Sequence, residues 1–331
     1  MSSLAASQHS VAVVICTHNP RADYLKRTLA GLQRQTLPAE DWTLIIVDNC
    51  SSPAVEDFAA TDWHPASRIV RESALGLTSA RLRAIRETTS DVLVFVDDDN
   101  VLEPNYLEEA LRLVTAMPML GCLGAGQIVP EYEETPQSHL NPYLPMLALR
   151  TESSSYWSND PKDRRLPWGA GMVVTRKIAD AVAAEVDANQ TKRDFDRKGN
   201  ELNSCGDDEF SWISCRNGLG YGIFPELKLV HLIPVRRIKE SYLLQLAEGH
   251  AYSRILFAAV HGRVSSADYS DPSMASILLK ALTCRFELAA RELLQLASDA
   301  RLSVTDRAFR RASRRGAKRA MERIKSLATD G

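Results

Sequence analysis

Val92-Leu93-Val94-Phe95-Val96-Asp97-Asp98-Asp99-Asn100 passes abruptly from five apolar residues to three carboxylates and an amide. The apolar run has the composition of a buried strand, and the acids that follow repel one another and bury no apolar surface. Such a group persists at a strand end when water, hydrogen-bond donors or a cation satisfies it. In extended backbone Asp97 and Asp99 share one face and Asp98 takes the other. Two carboxylates on one face, with positions left for phosphate oxygens, suit Mn2+ or Mg2+ held beside a diphosphate. A solvated acidic turn is the competing reading, and the strand-end position favours the metal because open α/β sheets bind ligands at the carboxyl ends of their strands.

Working outward, the first third of the chain alternates β-branched runs with helical stretches. Val11 to Cys16, Trp42 to Val47, Arg68 to Val70 and Val92 to Val96 read as strands. Tyr24 to Gln35, Ala54 to Ala60, Thr78 to Glu87 and Pro104 to Ala116 read as helices, the last with Pro104 in its first turn. Near-continuous apolar strands separated by helices predict an α/β, doubly wound sheet covered on both faces. Gly121 to Val129 continues the sheet. Pro130 to Pro167, with six prolines, reads as a long irregular excursion. Leu166 to Arg176, Tyr221 to Phe224 and Leu227 to Leu232 read as later strands, Gly206 to Arg216 as a helix, and nearly everything from Glu240 onward as helical.

Polar residues collect where the strands end. Thr17-His18-Asn19-Pro20 follows the first and Asp48-Asn49-Cys50-Ser51-Ser52 the second. Asp48 suits an imide N–H of a pyrimidine, and Thr17 or Asn19 suits base or ribose, although all three are also common turn and cap residues. Leu75-Gly76-Leu77-Thr78-Ser79-Ala80-Arg81 is a glycine turn entering a helix, whose N–H groups and arginine suit a phosphate or a base. Asp207-Asp208-Glu209 forms a second acidic run, and either Asp207 or Asp208 is chemically able to take a proton from a hydroxyl. His231 leaves an apolar strand and is a candidate metal ligand. Gly121 to Gly126 and Gly218 to Gly222 lack the spacing of a dinucleotide fingerprint.

Composition narrows the classes. With 331 residues, 45% hydrophobic and 25% charged, the chain is globular rather than disordered, and a net charge of −2 gives no overall pull toward nucleic acid. Six cysteines without a C-x-x-C spell neither a zinc ribbon nor a redox pair, and fit a reduced, cytoplasmic setting. No stretch reaches the roughly 20 apolar residues that a spanning helix needs. Ile277 to Leu296 has an amphipathic helical pattern, and residues 301–325 carry ten bases against Asp306 and Glu322. That basic face suits either solvent or peripheral contact with anionic lipid at the inner face of a membrane. Only Phe309 interleaves these bases, which disfavours nucleic acid.

In order, THN, VDN, LGLTSAR, FVDDDN, PWGAGM, GDDEF and VHLIP resemble the family 2 glycosyltransferases of GT-A fold, over Val11 to Pro234. The resemblance implies a GT-A type mixed sheet at 11–235, divided into a nucleotide-sugar half (11–129) and an acceptor half (130–235). A flexible N-terminus (1–10) precedes it and a helical C-terminal extension (236–331) follows. It implies inverting transfer of a sugar from a nucleoside diphosphate sugar to an acceptor hydroxyl, in polysaccharide, glycolipid or other glycoconjugate synthesis, with Mn2+ or Mg2+ on the diphosphate. The acceptor on this reading can be lipid-linked. By motif match Thr17, Asn19, Asp48 and Arg81 serve the nucleotide, Asp97 the ribose and metal, and Asp99 the metal, with His231 as a further ligand. Asp208 matches the catalytic base, while Trp168, Gly169, Gly171 and Asp207 fall at the acceptor pocket. Three positions depart from the pattern: Asn49 and Leu82 stand where an acid and an asparagine are frequent, and Asp207 replaces glutamate. A non-catalytic sugar-nucleotide scaffold of the same fold is the alternative. A nucleotidyltransferase should carry a basic Gly-rich loop after the first strand, and Thr17 to Pro20 is not one.

Overall fold

The structure is a computed structural model that describes residues 9–163, 165–193, 195–199, 201–264 and 302–329. The amphipathic stretch Ile277 to Leu296, Arg301 and most of the expected N-terminal tail lie outside the described residues.

Four parallel strands form the first half of the sheet: β1 (Val11–Thr17), β2 (Trp42–Asn49), β3 (Ser67–Glu72) and β4 (Val92–Val96). Helices α1 (Ala22–Gln33) and α2 (Leu77–Arg86) connect them on opposite faces. Alternation explains the layering. Val11, Val13 and Ile15 pack toward α1 and toward α3 (Tyr106–Ala116), while Ala12 and Val14 pack toward α2, α4 (Arg176–Asp187) and α6 (Gly206–Arg216). A short helix, α5 (Gln190–Arg193), stands between the last two.

The sheet then becomes mixed, as expected. Its order is β3-β2-β1-β4-β9-β6-β10-β5, with β5 (Asn100–Leu102), β6 (Leu120–Tyr132), β9 (Met172–Thr175) and β10 (Gly220–Ile233). Strand β9 runs antiparallel between β4 and β6, and β5 antiparallel on β10. Two short strands from the proline-rich excursion, β7 (Arg150–Thr151) and β8 (Tyr156–Ser158), pair with β6 and β10.

Several boundaries differ from the sequence reading for local reasons. Pro104 lies outside α3: Asn105 is the N-cap, and the Pro104 carbonyl accepts the Thr36 N–H at 2.8 Å. Ala54 to Ala60 shrinks to a 3-10 turn at Val55–Asp57. The stretch from Leu166 becomes strand only at Met172, because Gly171 has φ +72, a left-handed conformation that breaks the ladder. The two expected strands around Pro225 are one, β10, whose register with β6 slips between Phe224 and Lys228. Proline cannot donate to the ladder there. The excursion is also more ordered than expected, containing a 3-10 helix at Ser138–Leu147. Its Leu140, Leu144 and Leu147 pack against Leu243 and Leu246 of α7 (Glu240–Val260) and Phe309 of α8 (Val304–Thr329). Among the described residues no helix is long and apolar enough to cross a membrane.

Candidate functional site

Register brings the polar strand ends together. Thr17 pairs with Asp48 across β1 and β2, and Ile15 with Val96 across β1 and β4, so Asp97 and Asp98 emerge beside Cys16 and Thr17. Phe95 pairs with Met172, and because β9 is antiparallel the chain entering it, Trp168 to Ala170, lies at the exit of β4. His231 pairs with Asn100 across β10 and β5, which delivers its imidazole to Asp99. Cys16, Thr17, Asp97 to Asp99, Trp168 to Ala170 and His231 line one cavity of about 1560 Å³, and Asp207 and Asp208 at the start of α6 line it too. The two acidic runs, about a hundred residues apart in sequence, thus share a pocket.

The first run is differentiated by its neighbours. Asp99 is buried, with Arg237 Nη1 2.9 Å from Oδ2 and His231 Nε2 3.4 Å from Oδ1. Burial raises its pKa, but Arg237 and then His231 outweigh it and hold the carboxyl well below the usual range. Arg237 Nη1 also lies 3.1 Å from His231 Nε2. A cation already sits against one carboxylate and one imidazole, ligand types that suit Mn2+ or Mg2+, so the residues fit a divalent metal. Among the described residues no three His, Cys, Asp or Glu side chains form a ready-made cage. Asp97 is raised by burial and by the charge of Asp99, and Asp98 is pushed to about 7 by burial and Asp99, against a hydrogen bond from the Thr17 hydroxyl.

The second run is built on a buried ion pair. Arg81 Nη1 donates to Asp196 Oδ2 at 2.8 Å, and Asp196 Oδ1 accepts the Gly206 N–H at 2.9 Å. This fixes the first turn of α6. A Cβ on Gly206 would lie 1.9 Å from the Asp196 carboxylate, and one on Gly169 would lie 2.3 Å from Arg81 Nη2, so both glycines are required. Asp207 Oδ2 accepts the Gly169 N–H at 2.9 Å, tying the acid to the strand entrance. Asp208 is pushed to about 7, first by burial and then by Asp207.

The other sequence candidates fall in different places. Asn19 lines the cavity and bridges the loops after β1 and β2, its Oδ1 accepting the Ser52 N–H at 2.8 Å. Thr17 lines it with its hydroxyl committed to Asp98. Asp48 does not line it: its oxygens accept the N–H groups of Ser51 at 2.8 Å and Val55 at 3.2 Å within its own turn. Asn49 reaches the cavity instead and accepts the Gly76 N–H at 2.7 Å. At the entrance of α2 the Leu77 N–H is taken by the Arg197 carbonyl, so that group is not free for a phosphate. Trp168 and Gly169 line the cavity, whereas Gly171 is turned away, its carbonyl accepting from Tyr106 Oη at 2.5 Å.

Sequence reading missed Asp196 and Arg237. Asp196 sits at φ +70 in a polar stretch with no periodicity, and nothing local marks it. The Arg236-Arg237 pair just past His231 was the available signal. The basic C-terminal stretch also divides its labour: Arg315 and Arg319 bind Glu248 of α7 at 2.9 and 3.2 Å, while Arg310 and Arg314 line the cavity.

Comparison with known proteins identifies the family. The family model for glycosyl transferase family 2 matches residues 12–180. A validoxylamine A glucosyltransferase of Streptomyces hygroscopicus is 30% identical over 165 residues, covering 47% of this chain and 38% of the relative. EpsH of Bacillus subtilis is 27% identical over 105 residues, 31% of this chain and 30% of the relative. The chain therefore spans well under half the length of these curated relatives. Among solved structures, a mannosyltransferase from Pyrobaculum calidifontis, in complex with GDP-mannose and Mn2+, superimposes with a TM-score of 0.55 at 17% identity. That match covers 96% of this chain and 87% of the other, a likeness of fold.

Proposed function

We propose that this chain, which belongs to glycosyl transferase family 2, is a glycosyltransferase that moves a sugar from a nucleoside diphosphate sugar to an acceptor hydroxyl, with inversion and with Mn2+ or Mg2+. The observation that carries this reading is the meeting of two acidic runs in one cavity, with Asp99 held low in the first and Asp208 raised in the second.

The nucleoside lies among Thr17, Asn19 and Asn49, with Asp97 at the ribose. Asp99 and His231 hold the divalent ion, which when bound stabilises charge on the departing diphosphate. Arg237, which pairs with Asp99, would give up that contact to a bound ion. The acceptor rests against Trp168 and Gly169, with its hydroxyl at Asp208. As the oxygen–carbon bond forms at the anomeric carbon, the hydroxyl proton passes to the Asp208 carboxylate. The bond from that carbon to the diphosphate oxygen breaks, and its electron pair leaves with the diphosphate. Attack comes from the face opposite the leaving group, so configuration inverts and no covalent enzyme intermediate is required. Asp207, through the Gly169 N–H, and the Arg81–Asp196 pair hold Asp208 in position.

The test is a panel of nucleotide sugars incubated with purified protein and either Mn2+ or Mg2+, with chelator controls. Metal-dependent release of the nucleoside diphosphate from at least one donor is expected. Binding of a nucleotide sugar without turnover under any metal would favour the scaffold alternative and overturn the reading.

A further inference from the structure

Arg237 reaches the first acidic run from a rigid base. Strand β10 ends at Ile233, and the 3-10 turn Val235–Ile238 follows Pro234. The Val235 N–H donates to Glu133 Oε2 at 2.8 Å, the Arg237 N–H donates to the Pro234 carbonyl at 2.9 Å, and Ile238 is buried in one cluster with Leu243 and Leu246 of α7. The other two members of the site are anchored as well. His231 belongs to β10, and the Asp99 carbonyl accepts the Leu232 N–H at 2.8 Å. What is left to move is the Arg237 side chain, 14% exposed where those of His231 and Asp99 are 6% and 7%.

The guanidinium is also incompletely satisfied. One nitrogen, Nη1, meets both Asp99 Oδ2 at 2.9 Å and His231 Nε2 at 3.1 Å, while Nε is buried with no hydrogen-bond partner among the described residues. An arginine that served only to close a buried ion pair would set its planar fork on both carboxylate oxygens. Here a single nitrogen stands between a carboxylate and an imidazole, where a small cation fits better. A buried donor without a partner weakens the paired state, so the contact is poised for exchange.

We propose that Arg237 is a built-in competitor for the metal, holding Asp99 and His231 until nucleoside diphosphate and divalent ion bind together; the inference rests on the transferase reading above. A buried carboxylate without a counter-charge is unfavourable, and the guanidinium supplies that charge. A divalent ion alone gains two protein ligands there and must strip the arginine from both. With a diphosphate present, phosphate oxygens complete the coordination and offer the freed guanidinium an anion. Metal and nucleotide therefore bind with positive coupling, each raising the affinity of the other by the same factor.

The experiment follows Mn2+ binding at pH 8 by loss of the free-ion EPR signal, corrected for Mn2+ taken by the nucleotide itself. It uses the parent chain, R237Q and R237K, each with and without saturating UDP or GDP. Without nucleotide, R237Q should bind Mn2+ about tenfold or more tighter than the parent, with R237K between them. In the parent, UDP or GDP should tighten Mn2+ by about tenfold or more, and in R237Q by a smaller factor. The double variant D99A/R237Q should lose the tightened site. If R237Q melts early, the parent supplies a second readout: its Arg237 Nε signal in 15N NMR, identified by its loss in R237K, should shift when Mg2+ and UDP or GDP are added. The proposal is overturned by equal or weaker Mn2+ binding in R237Q, by an equal nucleotide effect in both chains, by tight binding that survives D99A/R237Q, or by an unmoved Nε signal. None of these readouts needs sugar transfer. Absence of nucleoside diphosphate release from every donor of the panel strikes the transferase reading instead, so the two fail separately.

Discussion

Asp99 and Asp208 each belong to an acidic run, face the same cavity, and are surrounded in opposite ways. At the first run Arg237 and His231 keep Asp99 ionised despite its burial. At the second, burial and then Asp207 raise Asp208 to about 7, and Arg254 opposes them only weakly. A carboxylate that must grip a cation needs its charge at all times; one that must accept a proton needs an affinity for it near the working pH. The lesson is that role follows from what stands behind each acid rather than from the acid.

Removing either acid breaks this comparison most sharply. Asp208→Asn keeps the shape and loses the base, so transfer should fall by about 100- to 10,000-fold while calorimetry still shows metal-dependent nucleotide binding. Comparable turnover by that variant would reassign the base. Asp99→Ala should lose about 100- to 1,000-fold in rate and should also lose the metal-dependent part of nucleotide affinity. If affinity persists with metal and falls with chelator, Asp99 is not the ligand.

A third substitution probes the support of the second run. The Arg81 and Asp196 side chains are only 7% and 6% exposed, so Asp196→Ala leaves a buried guanidinium unpaired and should cost about 3–5 kcal/mol in denaturant unfolding. A change within error would mean that α6 is held by packing alone. The smallest effect is on pH. Below about 7 Asp208 carries the proton it must accept, so kcat/KM should rise with pH through about 7 and then level. Its folded pKa lies above the unfolded value of about 3.9, so between those two values the native state binds more protons and stability falls as pH rises. In Asp208→Asn both the rate limb and that part of the stability slope should vanish. An unchanged slope would assign it to another group.

The parallel half of the fold was legible because its strands bury both faces, leaving unbroken runs such as Val92 to Val96 ending in charge. The same contrast revealed both acidic runs and His231. Asp48 misled because a carboxylate that caps a turn and one that meets a nucleoside look alike in sequence; only the Ser51 and Val55 N–H groups distinguish them. Pro225 suggested a break between two strands where β10 absorbs it as a register slip. Which bases of the C-terminal stretch meet the cavity was not legible, since the orientation of α8 depends on packing around Phe309 and Gly316.

In the proposed mechanism Asp208 draws the acceptor onto one face of the sugar while Asp99 holds the leaving diphosphate at the other. Proton NMR of the anomeric signal in the first minutes of donor turnover tests it directly. A nascent product of inverted configuration is the result expected, and a retained configuration would contradict it.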